Sequence, residues 1–74
     1  MEKPKNCTGP NIRRYREAAG LTRTALSRAL REQGFIISPR RIRKMEEQST
    51  KVYEFDLIAF ARLFHIRAGD LFDV

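Results

Sequence analysis

The segment Ser38-Pro39-Arg40-Arg41-Ile42-Arg43-Lys44-Met45-Glu46 constrains this chain more than any other. Serine is a strong helix N-cap and proline suits the first helical position, so a short helix is expected over 39–46. At about 100° per residue, Ile42, Met45 and Glu46 fall together on one side of it, and Arg40 and Lys44 fall almost opposite. Arg43 and Glu47 flank the outward face, and Arg41 lies to one side. The helix therefore anchors itself through two apolar side chains while presenting cations outward.

A chain of 74 residues is one domain. At that size only about 60 % of the unfolded surface is buried, which suits a compact helical fold with one small core and leaves little room for a multi-step enzyme. Lys and Arg number 15 against 9 Asp and Glu, for a net charge of +6. Residues 1–51 hold thirteen cations and five anions (+8), and residues 52–74 hold two and four (−2). The charge is polarised along the chain, so the first two-thirds is expected to face a polyanion and the last third protein or solvent. Cys7 is the single cysteine, which excludes an internal disulfide or a thiolate metal cluster and fits a reducing cytoplasm. No apolar run is long enough to span a bilayer. The expectation is a cytoplasmic protein with no cofactor and no metal.

In chain order, residues 1–8 are expected to be a flexible segment whose Lys3 and Lys5 add positive charge, followed by a domain over 9–74. Thr8-Gly9-Pro10-Asn11 reads as a helix start, with Ile12, Tyr15 and Ala19 spaced for one buried face and Gly20 as the stop. Arg16 stands four residues after Ile12, so it borders the core and requires an anionic partner. Thr22 caps a second helix in which Leu26 and Leu30 face inward, and Gly34 ends it. Arg23 sits in the first turn of that helix, where a cation opposes the helix dipole unless a phosphate lies nearby. Phe35-Ile36-Ile37 reads as an apolar connector closing over the helix pair. After Glu46 comes a polar loop whose Ser49, Thr50 and Lys51 can reach phosphates. A fourth helix, Glu54 to Phe64, has Leu57, Phe60, Ala61 and Phe64 as its core stripe, and a fifth is expected over Ala68 to Phe72. Phe55 and Ile58 point away from the stripe, so Phe55, Ile58, Phe72 and Val74 are candidates for a dimer surface.

Five short helices with a capped second and a basic, capped third resemble the helix-turn-helix family of phage repressors and Cro proteins, the xenobiotic-response-element type. The resemblance rests on Gly9, Asn11-Ile12-Arg13, Arg16, Gly20-Leu21-Thr22, Leu26, Ile42, Met45-Glu46, Val52, Leu57, Ala61, Phe64, Ile66 and Leu71-Phe72. It implies an all-α, five-helix, lambda-repressor-like domain with residues 39–46 as the recognition helix. It also implies a structural ion pair between Arg16 and Glu46, which supplies the partner Arg16 needs. Base reading would fall to Arg40 and Lys44, with Arg43 beside them, and phosphate contacts to Arg23, Arg41, Ser49, Thr50 and Lys51. Two departures stand out. The connector before the third helix is longer than in the shortest family members, and the usual Glu-x-Gly after the recognition helix is Glu46-Glu47-Gln48.

Cations on a helix of this kind suit the DNA major groove, where guanidinium groups read guanine edges. The function expected is a sequence-specific double-stranded DNA-binding transcriptional regulator, acting as a dimer on paired half-sites. The alternative is a protein-interaction module on the same fold, antirepressor- or antitoxin-like, whose regulatory partner binds the fourth and fifth helices. An enzyme is not expected: His65 stands alone, and no phosphate loop, carboxylate pair or nucleophile triad is present.

Overall fold

Hydroxyl side chains start the two central helices at the positions their sequences dictate. Thr22 Oγ1 accepts the Ala25 N–H at 3.0 Å and Ser38 Oγ accepts the Arg41 N–H at 3.1 Å, each satisfying one of the amides that a helix start leaves open. Four helices result in this computed structural model, which describes residues 3–72: α1 Gly9–Ala18, α2 Arg23–Glu32, α3 Pro39–Glu46 and α4 Glu54–Phe64. No strand occurs among the described residues, so the fold is all-α. No helix among them is long and apolar enough to cross a membrane.

The helices close by one device. Gly20, Gly34, Gln48 and His65 adopt positive φ of 72°, 91°, 61° and 57°, and the next amide in each case reaches back five residues: Leu21 to Arg16, Phe35 to Leu30, Ser49 to Lys44 and Ile66 to Ala61. This left-handed cap satisfies the last carbonyls of each helix. Glycine does it at no steric cost in the first two; the glutamine and the histidine adopt it despite a Cβ.

One core joins all elements: Ile12 of α1, Leu26 and Leu30 of α2, Ile37 of the connector, Ile42 and Met45 of α3, Ala59 and Phe60 of α4, and Leu71. α1 approaches the end of α3 so closely that a Cβ added at Gly9 would collide with the Met45 carbonyl oxygen. The side of α3 carrying Ile42, Met45 and Glu46 is thereby fixed against the scaffold.

Several expectations are corrected. Ala68–Phe72 is a 3-10 turn and not a fifth α-helix. The Asp70 N–H bonds the Arg67 carbonyl three residues back, while its side chain accepts the Arg67 N–H at 3.1 Å, and this tight ring substitutes for a longer helix. Ala19 is exposed because α1 has already ended. In α4 the fully buried side chains are Asp56, Ala59 and Phe60, with Leu57 and Phe64 only partly covered. The helix is rotated so that its acidic N3 residue faces α3.

The segment expected to be flexible over residues 1–8 is held down from Lys5 onward. Asn6 Nδ2 donates to the carbonyls of Met45 (3.1 Å) and Thr50 (2.7 Å), and its Oδ1 accepts the Gly9 N–H. Gln48 Nε2 donates to the Asn6 carbonyl at 2.8 Å, and the Lys5 N–H donates to the Gln48 carbonyl at 2.9 Å. Glutamine, at the position where the resemblance leads one to expect glycine, thus ties the N-terminal segment to the end of α3.

Candidate nucleic-acid interface

Arg16, Arg23, Arg40, Arg41, Arg43 and Lys44 lie on or against α3, and carboxylates divide them into two groups. The first group is neutralised. Arg16 donates from Nε to Glu46 Oε2 at 2.7 Å and from Nη2 to Oε1 at 3.0 Å, and its Nη1 donates to the Leu21 carbonyl. Both side chains are buried, Arg16 to 10 % and Glu46 to 1 % exposure. Hydrogen bonding to Glu46 raises the Arg16 pKa above its ordinary value against the opposing pull of burial. The structure therefore brings together the two residues that the resemblance pairs.

Arg23 shares the same carboxylate, its Nε donating to Glu46 Oε1 at 3.1 Å. This corrects the reading that a phosphate must offset a cation in the first turn of α2: Glu46 already does so. The Arg23 side chain stays 33 % exposed.

Arg41, expected on a phosphate, is paired with a carboxylate while its side chain stays 30 % exposed. Its Nη1 and Nη2 donate to Asp56 Oδ1 and Oδ2, both at 2.6 Å, in a two-bond fork. The Asp56 Oδ2 atom also accepts the Tyr53 N–H at 2.9 Å, which caps α4. These bonds to Asp56 raise the Arg41 pKa, again against burial. The guanidinium carbon lies 5.9 Å from the Tyr53 ring centroid and 6.0 Å from that of Phe55, so both rings flank a cation. Sequence reasoning missed Asp56. The available signal was an acid three residues after the helix-start residue Tyr53, on the element following a surplus of arginine.

The second group is open. Arg40, Arg43 and Lys44 are exposed, and among the described residues none of their side chains forms an ion pair or hydrogen bond. Arg40 and Lys44 share a shallow concavity with Ser38, Arg41 and Thr50. The positive heads on the outward side of α3 are thus neither turned inward nor covered.

The loop residues differ from one another. Ser49 Oγ donates to the Lys44 carbonyl at 3.1 Å, so its hydroxyl finishes α3. Thr50 contributes its carbonyl to Asn6 and Lys51 is exposed. Lys3 and Lys5 lie beside Glu47, Gln48 and Ser49, which adds two cations to this end of α3.

The proposed dimer residues are Phe55, Ile58 and Phe72, with exposures of 60 %, 41 % and 49 %; Val74 lies outside the described residues. Comparison of the chain with protein-family models, with curated proteins and with solved structures finds no match in any of the three.

Proposed function

We propose that this chain is a sequence-specific double-stranded DNA-binding regulator of lambda-repressor-like helix-turn-helix architecture, with α3 seated in the major groove. The observation that carries this reading is the outward edge of α3, where Arg40, Arg43 and Lys44 stand exposed and, among the described residues, without a carboxylate. A helix about 10–12 Å across fits a groove about 12 Å wide, and long cationic side chains then reach the base edges.

Arg40 and Lys44 read bases, with Arg43 beside them. Arg23, Thr50 and Lys51 hold phosphates, while Arg41 acts from behind by fixing α3 to α4. Phosphate contacts supply most of the affinity, and base contacts set the preference. With about four to five cations brought to the duplex, namely Arg23 and Lys51 together with those of α3, log affinity falls against log salt with a slope of about −4.

Selection of bound duplexes from a random pool tests the reading. A palindromic consensus with guanines at its reading positions is expected. Enrichment of no sequence overturns the proposal. The exposed Phe55, Ile58 and Phe72 support a second copy docking through α4 and the 3-10 turn; the same patch serves a regulatory protein if the chain is an interaction module. Sedimentation of native protein and of Ile58→Asp separates these: concentration-dependent dimerisation lost in the variant supports the dimer.

A further inference from the structure

The connector Phe35-Ile36-Ile37 was expected to be core throughout. Instead its side chains alternate: Phe35 is half-buried, Ile36 is 75 % exposed and Ile37 is 4 % exposed. The backbone is pinned on either side of Ile36. The Phe35 N–H closes α2 by donating to the Leu30 carbonyl at 2.9 Å, and the Ile37 carbonyl accepts from Ser27 Oγ at 2.6 Å. With Ile37 packed into the core, Ile36 is left uncovered among the described residues.

A single exposed isoleucine is ordinary on a protein surface. The position of this one is not. Burial alternates along 35–38, with Ile36 and Ser38 both exposed on either side of the buried Ile37, which puts Ile36 on the side of Ser38, the residue that caps α3. Ser38 borders the concavity that holds Arg40 and Lys44. Ile36 therefore stands at the N-terminal end of α3, the end that a recognition helix brings to the base edges.

Building on the DNA-binding reading, we propose that Ile36 contacts the C5-methyl group of a thymine at the edge of the sequence read by Arg40 and Lys44. Among the major-groove groups that distinguish the bases, that methyl is the apolar one; the others donate or accept hydrogen bonds. A β-branched side chain on an anchored backbone has few rotamers to lose on contact. The arginine and lysine set the register, and Ile36 adds a preference for thymine next to it.

The test uses the selected duplex with each thymine in turn replaced by deoxyuridine, which deletes only the methyl group, and measures affinity by fluorescence anisotropy. At one thymine the replacement weakens native protein about fourfold, the effect of one buried methyl-sized group. Ile36→Ala weakens binding to the natural site by a similar factor and no longer distinguishes thymine from deoxyuridine there. Ile36→Val, which keeps a branched apolar surface, retains most of the discrimination. Additive losses at every thymine, or native protein indifferent to every replacement, overturns the contact and leaves the DNA-binding reading standing. A pool that enriches no sequence overturns that reading and the contact with it.

Discussion

Arg40 and Arg41 are neighbours on one eight-residue helix, yet Arg41 closes on Asp56 with two bonds of 2.6 Å while Arg40 stays exposed without a partner among the described residues. The same contrast separates Arg16, buried against Glu46, from Arg43. Between Arg40 and Arg41 the difference is one of angle: about 100° of rotation around α3 moves a guanidinium from the scaffold to the solvent. Asp56 of α4 holds Arg41, and Glu46 on α3 itself holds Arg16 and Arg23, so one side of the helix is tied to the scaffold; the cations of α3 left over form its outward edge. Net charge therefore misstates the binding surface. What matters is the charge left after the scaffold has taken its share.

The largest effect belongs to the neutralised side. Glu46→Ala leaves two arginines without their anion, one of them 8 % exposed, and is expected to destabilise the fold by about 3–5 kcal/mol. Denaturant unfolding measures it; a loss below about 1 kcal/mol contradicts the structural role given to the pair.

Arg41→Ala and Arg40→Ala set the two edges directly against each other. The first strands the buried Asp56 carboxylate, at a stability cost of about 2–3 kcal/mol. The second changes stability by no more than about 0.5 kcal/mol but removes about 1–3 kcal/mol of specific DNA affinity. Equal stability losses for the pair break the comparison.

Ser49→Ala sharpens the boundary between the two regions. Its hydroxyl bonds the Lys44 carbonyl, so the variant loses about 0.5–1 kcal/mol of stability and leaves the salt slope unchanged. A loss of DNA affinity at that unchanged slope instead assigns Ser49 to a phosphate, because a neutral hydroxyl displaces no counterion.

The bounds of α3 and α4 were legible because the chemistry that sets them is local: Ser38 and Pro39 start one, and acidic residues begin the other after Tyr53. Arg16 was readable as a residue needing an anion, since its spacing from Ile12 puts it at the core border. The partner of Arg41 was not. The helical wheel gives an angle, and Asp56 crosses from another element 15 residues away. The connector was hidden for a related reason. Three apolar residues in a row carry no period, and the bonds from Phe35 to Leu30 and from Ser27 to Ile37, with Ile37 in the core, fix which of them turns outward. Gln48 looked like a lost glycine, and its side chain proves to tie down the N-terminal segment.

The most direct test of the account compares two double variants that remove the same charge. Arg40→Ala/Lys44→Ala strips the open edge of α3, and Arg62→Ala/Arg67→Ala strips exposed cations near the end of α4. Anisotropy titration on the selected duplex is expected to show at least about a 30-fold loss of affinity in the first and a change of no more than about threefold in the second. Equal losses in both, or none in the first, contradict the claim that the outward edge of α3 reads DNA.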